Sequence, residues 1–335
     1  MGSTIKDIAK DTNLSLATIS KYLNGKNILP ENKKLIEESI HRLGFIPNKT
    51  AQNLRSKKTK IICILLPIIG DYLWGSLCSI MEEFLRMYNY STIISSYDVN
   101  SDDNNSELQF LLSKQVDGVI LIPEDSKAFK LPVLLQQAKI PFVCLDQELS
   151  GIPADFVTSD HRTGAYNATR LLLEKGHRKL GVIGGNLSSY TMKERLTGFH
   201  DACLEYHVSE RDQCVYGGDV SSSAEHLRIM MSLPHHPTAV LMLGYNLTIG
   251  AILTLSSLKM QIPKDFSLIS FDDDQIFSAF NPPITTIVQN MDEIGRQATE
   301  LLIKRINGNF DLFPETKLIE TTLIVRKSVQ KPFEH

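Results

Sequence analysis

Apolar residues follow two rhythms along the chain. Up to residue 45 they recur every three or four positions, the period of a helix; from residue 61 they gather into short runs separated by amphipathic stretches. The first region reads as three short helices. Thr4 is placed to cap the first, with Asp7 three residues on as its capping-box partner and Ile5, Ile8 and Ala9 as one stripe. Asn13 stands where a left-handed turn residue is wanted, and Ser15 caps a second helix that runs to Asn24-Gly25. The stretch "LPENKKLIEESIHRLG" supplies the third, with Pro30 at its first position, Leu35, Ile36, Ile40 and Leu43 apolar, and Gly44 past its end.

From residue 61 the apolar runs are "IICILLP", "STIISSY", "DGVILIP", "PFVCLD", "KLGVIGG", "TAVLMLG" and "FSLISFDD", each followed by a helix-periodic stretch. Fully apolar strands alternating with helices predict an α/β body with parallel sheets covered on both faces. About a dozen strands are too many for one small sheet and predict two Rossmann-like lobes, with ligands bound beyond the carboxyl ends of the strands. Between the two regions, "KTAQNLRSKKTK" at 49–60 is basic and nearly free of apolar residues, as a linker would be. It can form a helical turn or two capped by Asn48, with Ala51 and Leu54 on one side and Lys49, Arg55, Lys57 and Lys58 around it.

Charge sharpens this division. Residues 1–60 hold 12 Lys+Arg against 5 Asp+Glu, a net of +7, whereas residues 61–335 carry a net of −10. That asymmetry suits a small module drawn to a polyanion on a body that is not, although solvated surface charge produces it too. The five cysteines are odd in number, widely spaced and mostly within apolar runs, which favours buried free thiols over disulfides or a zinc site. The longest apolar run, 61–70, is short for a membrane span and is broken by Pro67. With no secretory signal pattern at the N-terminus, the expected location is cytoplasmic. Enzymatic chemistry has little support: "GVIGGN" fits neither phosphate-loop pattern, and "DDD" at 272–274 and His235-His236 lack correctly spaced further ligands.

On the second helix, Ile19 and Leu23 share an inward stripe with Leu14, leaving Leu16, Ala17, Ser20, Lys21 and Asn24 on the opposite side. Two short helices joined by a tight turn, with small and cationic groups on the outer face of the second, form a helix-turn-helix whose second helix can enter a major groove. An ordinary solvated helix has the same spacing. An apolar Leu54 in a basic segment either packs on the body or acts as a wedge between base steps in a minor groove.

The stretches "TIKDIAKDTNLSLATISKYLNG", "PNKTAQNLRSKKTKIICILLP", "GHRKLGVIGGNLSSYTMKERLTGF", "SLISFDDD" and "PPITTIVQNMDEIGRQATELLIKRI" together resemble the lactose/galactose repressor family of bacterial transcription regulators, over essentially the whole chain. The resemblance implies an all-α helix-turn-helix domain at 1–46, a hinge helix or linker at 47–59, and a two-lobed body of periplasmic-binding-protein type at 60–335 that binds an effector and dimerises. The N-lobe would comprise about 60–160 and 291–320, the C-lobe about 161–290 and 321–332. It further implies a homodimer on a near-palindromic double-stranded operator, controlled by a small sugar-like effector, with no cofactor, no metal and no membrane.

By the same resemblance, the base-reading positions fall on Leu16, Ala17 and Lys21, with Ser15, Thr18 and Ser20 as phosphate or packing partners and Leu54 as the hinge wedge. Thr4, Asn24, Asn48 and Arg55 complete the DNA-facing set. Lys21 replaces a frequent Arg or His, so bidentate guanine reading gives way to a single-point contact, and Leu16 and Ala17 are left with thymine methyls. Arg195, Asp272 and Gln289 are the leading effector residues, followed by Asp146, Thr191, Leu73 and Trp74. Gly244-Tyr245 departs from the usual Asn-Asp, placing the aromatic Tyr245 in the cleft, and Val220 stands where an aromatic is usual. A transport-type sugar-binding protein shares the two-lobed body, but it would carry a signal peptide and lack residues 1–58.

Overall fold

The computed structural model of the chain describes residues 3–23, 26–45, 58–70, 72–98, 104–123, 130–149, 151–218 and 220–332. The chain forms two compact units, Met1–Thr59 and Lys60–His335. The first contains α1 (Ile5–Thr12), α2 (Leu16–Leu23) and α3 (Pro30–Leu43). The Asp7 carboxylate accepts from both the Thr4 amide and the Thr4 hydroxyl at 2.8 and 2.7 Å. Asn13 ends α1 in the left-handed region at φ 57°, and Ser15 Oγ accepts from the Thr18 amide at the start of α2. Ile8, Ile19, Ile36 and Phe45 are buried together, with Leu14, Leu23, Ile40 and Leu43 packed around them. Leu35, expected on the apolar stripe, is 46% exposed. It adjoins Ile36, about 100° round the helix, and Ile36 takes the inward position. The predicted hinge, with Asn48, Leu54 and Arg55, lies outside the described residues, as does Asn24.

The second unit begins with β1 (Ile61–Leu66), α4 (Tyr72–Met87), β2 (Ser91–Ser96), α5 (Asn105–Lys114), β3 (Gly118–Leu121), α6 (Leu131–Gln137), β4 (Phe142–Leu145) and β5 (Asp155–Ser159). It continues through α7 (His161–Glu174), β6 (Leu180–Gly184), α8 (Tyr190–Glu205), β7 (Gln213–Gly217), α9 (Ser223–Ser232), β8 (Ala239–Met242), α10 (Tyr245–Leu258), β9 (Ser267–Phe271), α11 (Gln275–Ala279) and β10 (Thr285–Gln289). It ends with α12 (Met291–Ile306), β11 (Thr316–Ile319) and β12 (Thr321–Ile324).

These strands form two six-stranded sheets, in the orders β11-β5-β4-β3-β1-β2 and β12-β10-β9-β8-β6-β7. The first is wholly parallel; in the second only β12 runs antiparallel, against β10. Alternate residues of each strand go into different cores, which is why the central strands are apolar throughout. Ile62 and Ile64 face α4 and α12, while Cys63 and Leu65 face α5 and α6. In the second sheet Val182 and Leu241 meet α7 and α8, and Ile183 and Met242 meet α9 and α10.

The chain passes from one sheet to the other after β5, after β10, and between β11 and β12. Helices α7 and α8 lie so close that a Cβ on Gly198 would fall 2.0 Å from the Arg162 carbonyl oxygen, so only glycine fits there. The cysteines are free, and burial pushes the Cys63 and Cys203 thiols up to about 12. Among the described residues no helix is long and apolar enough to cross a membrane.

Strand β5 differs from its neighbours in burying a charge. Asp155 is fully buried and receives both Nε and Nη2 of Arg305 from α12, at 2.7 and 2.8 Å. Arg305 Nη2 also reaches Glu315 at 2.9 Å, and Lys304 and Lys317 flank that carboxylate. Lys304, with Lys317 and Arg305, holds Glu315 down at about 2.

Candidate functional site

In the first unit, the cap at Ser15 fixes where α2 starts, and the buried Ile19 fixes which way it rolls. The opposite face is then presented to solvent: Leu16 is 47% exposed, and Ala17, Lys21 and the capping Ser15 are exposed, as is Thr4 at the start of α1. Thr18 and Ser20 are half-buried, with the Thr18 hydroxyl 2.9 Å from that of Ser15. A rigid helix offering a leucine, a methyl and an ammonium side by side can read thymine methyls and one acceptor at a base edge.

In the second unit, the expected effector residues converge at the carboxyl ends of strands from both sheets. Asp146 follows β4, Asp272 follows β9 and Gln289 ends β10; Asp146 and Asp272 adopt positive φ of 61° and 70°, which turns the chain sharply out of the strand. Leu73, Trp74, Asp146 and Gln289 line one small cavity of about 10 Å³, together with Met291 and neighbouring apolar residues. Thr191 donates to the Asp146 carbonyl at 2.9 Å. Gln289 Nε2 donates to Asp272 Oδ1, Gln289 Oε1 accepts from Ser159 at 2.6 Å, and Asp272 Oδ2 accepts from the Tyr245 amide at 3.3 Å. Arg195 is 3% exposed, with its guanidinium 3.7 Å from the Phe271 ring centroid and its Nη1 donating to the Leu243 carbonyl at 2.7 Å.

All eight residues therefore share one neighbourhood, but their polar groups are already largely bonded within the protein. A cavity of this size is of the order of one water molecule. A ligand that uses Arg195 or Asp272 must take over bonds these groups already make.

The central connection is His161, the first residue of α7, which is 1% exposed. Its Nε2 lies 3.1 Å from Asp146 Oδ1 and 3.2 Å from Thr158 Oγ1, and its Nδ1 lies 3.3 Å from Arg195 Nε. Arg can only donate, so Nδ1 must be the acceptor and the ring is neutral, with its proton on Nε2 facing Asp146. Burial, with Arg195 adding to it, lowers the His161 pKa below 6.5, whereas the partners Asp146 and Asp272 oppose that shift. A histidine whose folded pKa is depressed penalises the folded state as pH falls from 6.5 towards that lower value. His161→Gln removes this proton uptake. Its melting temperature should fall less steeply than the wild type's between pH 6.5 and 5, and superimposable pH profiles would contradict the assigned ring state.

The three aspartates at 272–274 do separate work. Asp272 joins the cleft, Asp273 holds Arg326 through two bonds of 2.8 and 2.7 Å, and Asp274 caps α11 by accepting from the Ile276 amide at 2.9 Å. Among the described residues no three His, Cys, Asp or Glu side chains are placed to hold a metal ion.

Residues 4–48 match the profile described as bacterial regulatory proteins, lacI family, and residues 169–329 match a periplasmic binding protein-like domain. Catabolite control protein A of Priestia megaterium is 30% identical over 319 residues, covering 92% of this chain and 93% of the relative. The chain belongs to the lacI family of bacterial regulatory proteins. The HTH-type transcriptional repressor PurR of Aliivibrio salmonicida is 27% identical over 338 residues, covering 98% of this chain and 99% of the relative. A crystal structure of the lac repressor dimer bound to operator and the anti-inducer ONPF has the same fold, with a TM-score of 0.85 at 21% identity over 98% of this chain and 100% of that one.

Within this lacI-family body, His161, Ser159 and Thr158 are cleft residues that the sequence analysis did not single out. They lie in "VTSDH", which has no apolar run to mark it as a strand. The usable signal was positional: polar residues at the junction of a strand and a helix of a doubly wound lobe point to the ligand crevice.

Proposed function

We propose that this chain is a transcriptional repressor that acts as a homodimer on a near-palindromic operator in the cytoplasm and is controlled by a small sugar or sugar derivative bound between its lobes. The exposed outer face of α2 carries this reading: Leu16, Ala17 and Lys21 are offered outward by a helix whose other side is sealed by Ile19. Leu16 and Ala17 contact thymine methyls and Lys21 makes a single-point contact, while Thr4, Ser15, Thr18 and Ser20 meet phosphates or pack. The hinge at 47–59, with Asn48, Leu54 and Arg55, enters the central minor groove, and Asn24 extends the reading face.

In the cleft, the Asp146 and Asp272 carboxylates and the Gln289 amide suit the adjacent hydroxyls of a polyol, with Thr191 and Arg195 as donors and Leu73, Trp74 and Tyr245 as apolar walls. The protein acts by binding and carries out no catalytic step. The ligand works by favouring one lobe arrangement, so it shifts operator affinity by its differential affinity for the two arrangements.

The test is a thermal-shift screen of sugars and purines on the full chain, followed by titration of a selected DNA duplex with each ligand that stabilises the protein. Such a ligand should change DNA affinity by roughly 5–150-fold in one direction. Ligands that bind the body yet leave DNA affinity unchanged would overturn the regulatory reading of the cleft.

A further inference from the structure

The second unit also has a cavity away from the cleft. It has a volume of about 530 Å³ and opens between the end of α10, the segment leading into β9, and the C-terminal tail. Thr238 and Phe266, which line it, immediately precede β8 and β9, whereas Asp272 follows β9 at its other end. A five-residue strand separates the two sites by about 16 Å.

Its chemistry differs from the rest of the body. Residues 61–335 carry a net of −10, yet Lys259 and Lys264 from the α10–β9 connection and Lys331 from the C-terminal tail line this cavity together. None of the three has an ion-pair partner among the described residues. Among the described residues the one carboxylate on the wall, Asp265, is turned to its own loop, where Oδ2 accepts from the Gln261 amide at 2.7 Å. Three ammonium groups against one carboxylate leave about two positive charges, the match for a phosphomonoester of about −1.5 to −2. Pro263, Phe266 and Pro332 add an apolar wall beside them.

The floor is built in advance of any ligand. His177 is 1% exposed; its Nε2 donates to the Gln330 carbonyl at 2.9 Å and its Nδ1 lies 2.8 Å from the Thr238 hydroxyl. Gln330 is also tied to Ser267 Oγ through its amide at 3.1 Å and to the Pro263 carbonyl through its side chain at 2.8 Å. This stitching fixes the tail backbone against β9 and places Lys331 at the cavity with Lys264. Lysine binds phosphate as a point charge, which suits a cluster from separate segments better than a bidentate fork would.

We propose that this cavity is a second ligand site, distinct from the inter-lobe cleft, that binds a dianionic phosphate group, either as free phosphate or on a small organic molecule. Isothermal titration of the full chain with glycerol 3-phosphate, inorganic phosphate and glycerol tests it. Glycerol should give no binding. Equal affinity for the two phosphates identifies free phosphate as the occupant, and tighter glycerol 3-phosphate identifies a phosphomonoester. Lys264→Ala/Lys331→Ala should weaken phosphate binding at least tenfold, while Asp272→Asn at the cleft should leave it unchanged. Both lysines are exposed, so the double variant keeps the fold. No phosphate binding by the wild type, an unchanged Kd in the double variant, or loss only in Asp272→Asn would overturn the proposal.

Discussion

Replacing Arg305 by alanine is expected to lower the unfolding free energy of the body by about 3–5 kcal/mol. The reason lies with the partner left behind. Asp155 is fully buried in the middle of a layered body, and both of its oxygens are held by Arg305, with the Glu315 amide adding one bond at 2.8 Å. Without the guanidinium, a carboxylate must either stay charged in a poor solvent for charge or take up a proton, and either course costs free energy. Glu315 would also lose one of its three cations. Urea denaturation at neutral pH measures the effect. Asp155→Ala combined with Arg305→Ala should cost clearly less than the two single changes added together, because the double variant leaves no orphaned charge. A cost below about 1 kcal/mol for Arg305→Ala would show that the pair is dispensable.

The same buried pair shows where the sequence was legible and where it was not. Strands β1, β3, β4, β6 and β8 stand out because they are buried on both faces, which writes an unbroken apolar run into the chain. Strand β5 is equally buried but reads Asp-Phe-Val-Thr-Ser, because Asp155 and Ser159 are satisfied by Arg305 and Gln289, far away in sequence. Strand β10 hides in the same way: Thr285 and Thr286 are fully buried, with the Thr285 hydroxyl accepting from the Arg326 amide and the Thr286 hydroxyl accepting from the Arg326 side chain. Long-range pairing of this kind has no local periodicity to reveal it. The small helical unit was more legible, since Asn13, Ser15, Pro30 and Gly44 each mark a helix end by local backbone chemistry.

For the cleft, Asp146, Asp272 and Gln289 were accessible from sequence because strand ends can be located and compared with a family pattern. Their occupation by one another was not. Arg195 reads in sequence as a group that reaches a ligand, yet in the fold it stacks on Phe271 and donates to His161 and the Leu243 carbonyl. Under the proposed function, a ligand that uses Arg195 competes with His161 and the Leu243 carbonyl for it.

Removing residues 1–59 is expected to have the largest effect of all, the loss of sequence-specific DNA binding. The excised unit carries its own core of Ile8, Ile19, Ile36 and Phe45, and the body's four cores contain none of its residues. The truncated chain should therefore still unfold cooperatively and respond to the same ligands. What it loses is the exposed face of α2 and a segment of net +6, leaving a body of net −9 that as a whole repels the polyanionic DNA backbone. Specific sites are typically bound about 10³-fold or more tightly than other DNA, and that margin should vanish with the helical unit.

Fluorescence-anisotropy titration of a duplex selected by the full-length protein, carried out with the full chain and with residues 60–335, is the decisive measurement. The predicted result is saturable binding of an inverted-repeat duplex by the full chain and at least a 1000-fold weaker response from the truncated one. Equal affinity of the two proteins for that duplex would contradict the assignment of DNA reading to the N-terminal helices.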